Sequence, residues 1–274
     1  NTIRHLDLIK KLKPTGIVAV PSLIAQKLCR TGENGVSVKE LGIEKIVLIG
    51  DSIRNTDFSS NPLGGLIENA FGKTCYSTYG ITEAQTSFCE CQIHQGLHSH
   101  PDFVLVEIVD DNGNALSDGE IGELILTPLQ VEGMPLIRYK TGDITFKIST
   151  PCRCGRNSVR VGPILGRKHH KLKVRGVTLF PQTIGNALFS VKGVVNYQIE
   201  AYTGDDHTDN IIIRVGSYNN NGDFLASLHE ALRANARVTP TVELEHPAEI
   251  EKRLFEGGSR KAITFKDRRF KLYE

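Results

Sequence analysis

Several short stretches of the sequence carry side chains whose types and spacing could do chemistry. Tyr79-Gly80-Ile81-Thr82-Glu83 joins an aromatic ring, a flexible glycine, a hydroxyl and a carboxylate within a single turn's reach. The ring can stack on a nucleotide base, the Thr82 hydroxyl can bond a phosphate, and the Glu83 carboxylate can hold Mg²⁺ against phosphate oxygens. Tyr139-Lys140-Thr141-Gly142-Asp143 ends a run of β-forming residues, and an aspartate after a glycine turn is suited to accept hydrogen bonds from both ribose hydroxyls. Gly50-Asp51-Ser52 is a third polar turn containing glycine, as a phosphate site needs. A plain turn uses the same letters in each case, so residue types alone leave that simpler reading open.

A second kind of chemistry is suggested by sulfur and imidazole. Cys89-Glu90-Cys91, His94, His98 and His100 precede Cys152-Arg153-Cys154. Soft thiolates with imidazole suit a tetrahedral Zn²⁺, although neither Cys-X-Cys pair has the commoner two-residue spacing. Spacing does not choose among these ligands, and reduced, unliganded thiols are the alternative. Cys29 and Cys75 sit in apolar patterns and read as core residues. The stretch Asn1 to Leu12, with His5, Lys10 and Lys11, lacks the apolar heart of a secretory signal, so the expectation is a cytoplasmic chain with reduced cysteines.

The elements that must position these residues follow from hydrophobic patterning. Ile17 to Val20 and Ile46 to Ile49 are short apolar runs that read as buried strands, the first followed by Pro21-Ser22 and a helical pattern through Leu28. Asn61-Pro62 starts a helix with Leu63, Leu66, Ile67, Ala70 and Phe71 on its apolar side and Gly72 to stop it, after which Lys73 to Ser77 is extended. Strand, helix, strand, helix, strand implies right-handed crossovers in a parallel sheet. Ligands of such sheets collect beyond the carboxyl ends of the strands, which sets Pro21-Ser22, Gly50-Asp51-Ser52 and the Tyr79–Glu83 stretch along one edge. From Phe103 the texture becomes antiparallel: Phe103–Val109, a turn at Asp110-Asp111-Asn112-Gly113-Asn114, then Glu123–Leu126, Leu136–Tyr139 and Ile144–Ile148. A third texture starts near Gly166-Arg167, with strands at Leu172–Val174, Val194–Ala201, Asn210–Val215 and Val242–Glu245 and helices at Pro181–Ser190 and Phe224–Ala234. The predicted fold class is α/β: a parallel βαβ sheet plus an antiparallel β subdomain, with a smaller α+β C-terminal domain. The 274 residues are 39% hydrophobic and 23% charged, with ample material for a core, which excludes disordered and collagen-like classes. A net charge of only +2 gives no global reason to expect nucleic acid, and no apolar run reaches the ~18 residues of a membrane span.

In order along the chain, Tyr-Gly-Ile-Thr-Glu at 79–83, Met-Pro-Leu-Ile-Arg-Tyr-Lys-Thr-Gly-Asp at 134–143, Gly166-Arg167, and Arg175-Gly176 with Phe180-Pro181 closely resemble the phenylacetate–coenzyme A ligase branch of the adenylate-forming enzymes. The resemblance runs from about residue 14 to the C-terminus. It implies an AMP-forming activation of a small carboxylic acid by ATP, then transfer of the acyl group to the coenzyme A thiol, with phenylacetate or another aromatic acid favoured. It makes Tyr79 the adenine-stacking residue, Thr82 a phosphate contact, Glu83 the Mg²⁺ ligand, Asp143 the ribose acceptor and Arg167 a second nucleotide contact. Gly50, Asp51 and Ser52 match the family's adenine-side turn, with Asp where relatives carry Glu. Gly80 belongs to the same nucleotide-binding stretch. Arg175 and Gly176 are implied to approach the pantetheine arm, and Lys261 of Gly257-Gly258-Ser259-Arg260-Lys261-Ala262 to be the adenylation lysine, stabilising charge on the carboxylate and α-phosphate.

The same resemblance selects Cys91, His98, Cys152 and Cys154 as a structural Zn²⁺ set, with Cys89, His94 or His100 as possible replacements for one ligand. It further divides the chain into residues 1–166, the later part of a large AMP-binding domain (βαβ section about 14–80, zinc-bearing β section about 85–166), and 167–274, a small domain that rotates about a hinge at His169. The family's hydroxyl-rich phosphate loop has no counterpart in residues 1–60, and the single methionine, Met134, is internal, so an upstream segment or a second chain is an expected partner. A homo-oligomer stays open. The competing expectation is an inactive AMP-binding, zinc-stabilised fragment or scaffold.

Overall fold

Apolar runs flanked by turn-forming residues become the strands that carry the site. The computed structural model describes residues 2–29, 38–72, 74–174, 176–204, 209–259 and 262–269. After helix α1 (Thr2–Leu12), strands β1 (Gly16–Ala19), β2 (Lys45–Ile49) and β3 (Cys75–Gly80) pair in parallel, Ile17 beside Ile46 and Ile46 beside Cys75. The crossover after β1 contains the short helix α2 (Pro21–Ile24), and that after β2 contains α3 (Pro62–Phe71). Local chemistry sets the bounds of α3. The Asn61 side chain accepts from the Gly64 N–H at 2.9 Å, Pro62 occupies a position where its missing N–H costs nothing, and Gly72 ends the helix at φ 65°. Leu63, Ile67 and Phe71, four residues apart, are its buried stripe. Gly64 lets α3 press on the turn after β2, since a Cβ there would lie 2.5 Å from the Ile53 carbonyl oxygen.

The chain then turns antiparallel. Strands β4 (Ser87–Glu90) and β5 (Leu97–His98) continue the first sheet, while β6 (Val104–Val109), β7 (Gly122–Pro128) and β8 (Tyr139–Thr145) build a second. Strands β9 (Lys147–Ile148) and β10 (Arg160–Val161) return to the first sheet, giving the order β1-β2-β3-β4-β5-β10-β9, and β11 (Gly166–Arg167) pairs with β8. Phe88, Leu97, Val104, Ile108, Leu124, Leu126 and Val161 form a core shared by the two sheets.

The chain divides into two compact units, 1–168 and 169–274. In the second, β12 (Leu172–Val174) and β13 (Val177–Leu179) form a hairpin, and helix α4 (Pro181–Phe189) follows. Strands β14 (Asn196–Thr203) and β15 (Asp209–Gly216), helix α5 (Gly222–Ala236), strand β16 (Thr241–Glu245), helix α6 (Pro247–Leu254) and strand β17 (Phe265–Asp267) complete it. The sheet order is β16-β15-β14-β17. Ile184 and Leu188 of α4 and Leu228 and Leu232 of α5 pack with Ile199, Ile211, Ile213 and Val215 of the sheet.

Two expectations differ from the structure. The helical pattern through Leu28 continues past Ile24 as a wider π-type turn, Ala25–Cys29, which keeps Ile24, Ala25 and Leu28 all buried. The expected strand Leu136–Tyr139 begins only at Tyr139. Met134 and Ile137 are 70% and 78% exposed, and the strand runs on through Thr141-Gly142-Asp143 instead of turning there. Gly142 makes this possible: at φ 75° it lets three residues, 141–143, stand opposite the single residue Leu124, between the pairs Lys140–Ile125 and Ile144–Glu123.

Candidate nucleotide site and candidate metal centre

The bulge in β8 aims Asp143 inward. Its backbone N–H donates to the Thr141 hydroxyl at 3.0 Å, and that hydroxyl donates to the Leu124 carbonyl at 2.8 Å, fixing the turn from both sides. Asp143 is 4% exposed, and the Tyr79 hydroxyl at the end of β3 donates to its Oδ2 at 2.7 Å. Arg167, its neighbour across β8 and β11, places Nε 3.3 Å from Oδ1. Each carboxylate oxygen therefore has one protein partner and a lone pair left over. Burial, and then the adjacent Asp143 carboxylate, push the Tyr79 hydroxyl's pKa well above its usual value, so it stays a donor. The Tyr79 ring is itself buried, 5.8 Å from the ring of Phe88.

A second bond ties the same two stretches. Tyr139 at the start of β8 donates to Glu83 Oε1 at 3.4 Å. Thr82 and Glu83 lie exposed in the 3₁₀ turn Thr82–Ala84, separated from Gly80 by Ile81 alone. The neighbouring edge is drawn in as well: Asp51, after β2, accepts the Ser22 N–H at 3.0 Å, which joins the turns that follow β1 and β2. Gly50 there has φ 102°, and Asn61 donates to the Ser52 carbonyl at 2.8 Å. The first unit thus brings Gly50, Asp51, Ser52, Tyr79, Gly80, Thr82, Glu83, Asp143 and Arg167 to the carboxyl ends of parallel strands and the bulge beside them. In the second unit Gly176 has φ 83° in the β12–β13 turn. Arg175 and Lys261 lie outside the described residues.

Sequence reading missed the buried support of this edge. Arg54, 6% exposed, donates through Nε to Glu90 Oε1 at 3.0 Å, and through its other nitrogens to Glu90 Oε2 at 3.2 Å, Glu68 Oε1 at 3.1 Å, the Cys75 carbonyl at 2.6 Å and the Ser60 hydroxyl. Glu90 also accepts the Ser77 N–H at 3.0 Å. One guanidinium thus holds the segment after Ser52, helix α3 and strands β3 and β4 together. An arginine between Ile53 and Asn55 gave no signal, because its two carboxylate partners lie 14 and 36 residues away.

The sulfur and imidazole groups converge in one place. Cys91, His98, Cys152 and Cys154 put their donor atoms within 4.8 Å of one another. Tetrahedral zinc with Zn–S of about 2.3 Å and Zn–N of about 2.0–2.1 Å requires S···S near 3.8 Å and S···N near 3.6 Å. Cys91 Sγ and Cys152 Sγ are 3.8 Å apart, and Cys154 Sγ lies 3.5 Å from His98 Nε2. His98 Nδ1 bonds Ser158 Oγ at 3.1 Å, which leaves Nε2 to face the thiols. Burial lowers the His98 pKa and keeps the imidazole neutral, while the Arg156 backbone N–H draws the Cys154 thiol down to about 7. The other candidates are elsewhere. His94 pairs with Glu90 at 3.0 Å, Cys89 Sγ contacts Ser87 Oγ at 3.8 Å, and the His100 ring faces Phe103.

No family model matches the chain. Over 203 residues, 72% of the chain, it is 36% identical to a phenylacetate-coenzyme A ligase of Thermus thermophilus, covering 44% of that protein. It is 30% identical over 210 residues to a phenylacetate-coenzyme A ligase of Pseudomonas putida, covering 73% of this chain and 45% of that one. Among solved structures, 2-hydroxyisobutyryl-CoA ligase in the postadenylation state in complex with R3-HIB-AMP matches with a TM-score of 0.79 at 21% identity, over 97% of this chain and 57% of that chain. The fold is therefore that of the adenylate-forming enzymes, mixed α/β with a small C-terminal domain. Within that class the curated relatives of this chain are phenylacetate–coenzyme A ligases, and the chain spans about half the length of those it matches.

Proposed function

We propose that the chain is the later part of an ATP-dependent, AMP-forming carboxylate–coenzyme A ligase acting on phenylacetate or another aromatic acid. The observation that carries this reading is the double tie between two stretches about sixty residues apart, Tyr79 to Asp143 and Glu83 to Tyr139, beside the Gly50–Ser52 turn. In the reaction a substrate carboxylate oxygen attacks the α-phosphorus of ATP, the bond to pyrophosphate breaks, and an acyl-adenylate forms. The coenzyme A sulfur then attacks the acyl carbon, the thiol proton goes to solvent and AMP departs.

Asp143 accepts from the ribose hydroxyls, held in place by Tyr79 and Arg167, and Arg167 adds positive charge to the nucleotide side. Thr82 donates to a phosphate oxygen, and Glu83 is the Mg²⁺ ligand; bound there, the ion would neutralise phosphate charge. Lys261 stabilises the charge shared by carboxylate and α-phosphate, and Arg175 and Gly176 serve the pantetheine arm. Because the Tyr79 residue is 9% exposed and its hydroxyl bonds Asp143, its main contribution in this arrangement is to orient that carboxylate beside the adenine it is proposed to stack on. Residues 1–168 act as part of the AMP-binding domain and 169–274 as the mobile small domain. Cys91, His98, Cys152 and Cys154 would hold a closed, structural zinc, a reading supported by their donor set and spacing.

The test is ATP–pyrophosphate exchange with a panel of aromatic acids, on a polypeptide that also carries the phosphate loop. Lys261→Ala and Glu83→Gln are expected to lower exchange at least ~100-fold. Unchanged exchange in both variants refutes these assignments. AMP binding without exchange on any acid would favour the inactive scaffold.

A further inference from the structure

In the second unit one arginine has no donor to spare. Arg269 directs Nε to Asp267 Oδ1 at 2.8 Å and one Nη2 donor to Asp267 Oδ2 at 2.7 Å. Its Nη1 donors reach the Lys171 carbonyl at 2.8 Å and Asp209 Oδ2 at 3.0 Å, and its remaining Nη2 donor reaches the His169 carbonyl at 3.2 Å. A guanidinium has five N–H donors, and all five are used. The side chain is 15% exposed. The fork joins two ends of the unit: His169 and Lys171 are among its first residues, while Asp267 ends β17. Asp209 Oδ2 also accepts the Lys173 N–H at 2.6 Å, which extends the connection into β12.

Strand β17 begins four residues after Lys261 in the sequence. The approach to that strand is fixed by the Ile263 N–H on the Leu254 carbonyl at 2.8 Å and by the buried Gln198 amide on the Ile263 carbonyl at 2.9 Å. From Ile263 the chain passes directly into β17, which pairs with β14 in parallel. Movement of residues 169–171 is therefore passed to β17 by the Arg269 guanidinium, with the His170 ring, 5.0 Å from that of Phe265, as a second and undirected contact between the same two segments.

We infer that Arg269 is a positioning residue that ties residues 169–171 to β17, the strand that follows Lys261 in the sequence, so that the lysine moves in register with the start of its own unit. The inference rests on the ligase reading for its catalytic half. A lysine cannot take this place, since it has three donors on one nitrogen and no planar fork.

Hydrogen exchange by mass spectrometry on the full chain, for Arg269→Gln and Arg269→Lys, tests the mechanical half. Peptides covering 169–174 and 262–267 are expected to lose protection together, by about tenfold or more, because bonds to a charged group are removed at both. Arg268→Gln, which breaks the neighbouring ion pair with Glu200, is expected to leave 169–174 unchanged. Protection at 169–174 equal to the unsubstituted chain in folded Arg269→Gln or Arg269→Lys overturns the coupling. ATP–pyrophosphate exchange tests the catalytic half: Arg269→Lys is expected to lower kcat about tenfold or more while leaving KM for ATP within about twofold. Coupled loss of protection with unchanged kcat, or a change confined to KM, overturns the positioning role. If the unsubstituted protein exchanges pyrophosphate with no acid, the ligase reading and the catalytic half fail, and the mechanical coupling is decided by hydrogen exchange alone.

Discussion

Replacing Arg54 by methionine removes the only cation within bonding distance of Glu90 among the described residues apart from the His94 ring, and leaves a carboxylate whose side chain is 1% exposed. Breaking a buried pair this way costs about 3–5 kcal/mol, because the surviving charge keeps its desolvation penalty and loses its partner. The Glu68 carboxylate, 19% exposed and still bonded to the Ser60 hydroxyl and the Cys75 N–H, adds little to that cost. With a urea dependence of about 2 kcal/mol per molar, a loss of about 4 kcal/mol moves the unfolding midpoint of the first unit down by about 2 M. The chain has no tryptophan, so far-ultraviolet circular dichroism is the suitable probe. Glu90→Gln keeps an acceptor for the Ser77 N–H while removing the charge, and completes a double-mutant cycle with Arg54→Met. The double variant is expected to be about 2 kcal/mol more stable than the sum of the single losses implies. Losses below about 1 kcal/mol for each single variant, additive in the double, would refute the reasoning that one guanidinium braces this edge.

Three further outcomes are expected. Native mass spectrometry should find one zinc per chain; Cys152→Ser and chelation should remove it and lower the thermal midpoint, while Cys89→Ser should retain it, and retention by Cys152→Ser would count against the ligand set. Tyr79→Phe removes a buried bond to a carboxylate and should cost about 1.5–3 kcal/mol, read by thermal unfolding at neutral pH. The same tyrosine sets an alkaline trend: its folded pKa is raised by burial and Asp143, so its contribution is complete below the unfolded value near ~10 and is lost as pH rises above it. Stability should fall less steeply above that pH in Tyr79→Phe than in the unsubstituted chain, and parallel slopes would show that Tyr79 is not the group responsible.

What sequence could reveal depended on the range of the interactions involved. Helix α3 was legible to the residue because its cap, its proline and its terminal glycine act within a few positions. Strands β1 and β2 were legible because runs of Ile, Val and Leu between turns allow little else. The start of β8 was not: Leu136 and Ile137 have the letters of a strand, but the pairing that decides the matter depends on β7 and on a glycine at positive φ. In the cysteine-rich region the residue types pointed to a cluster of possible metal ligands, yet by residue type alone His94 and His98 are equivalent. Only the pairing of β5 with β4 and β10 turns His98 toward the thiols, while His94 falls to Glu90. The bond between Tyr79 and Asp143 spans 64 residues, and no local pattern encodes it. Arg54 and Arg269 were hidden for the same reason, each being a charged residue of ordinary appearance whose partners come from the fold.

The bulge that presents Asp143 has an arithmetic of its own. Three residues opposite one is a surplus of two, and in a strand, where faces alternate, an even surplus leaves both flanks in phase. Tyr139 and Lys140 before the bulge, and Ile144 and Thr145 after it, thus keep the faces that an uninterrupted strand would give them. Deleting one residue between 141 and 143 would invert one flank relative to the other, forcing the fully buried Thr145 outward or turning Tyr139 away from Glu83. Deleting two would preserve the phase and erase the aspartate's perch. Length variation tolerated at this point should therefore come in pairs, and a lineage that shed the pair would keep an intact sheet while losing the carboxylate that the proposed function assigns to the ribose.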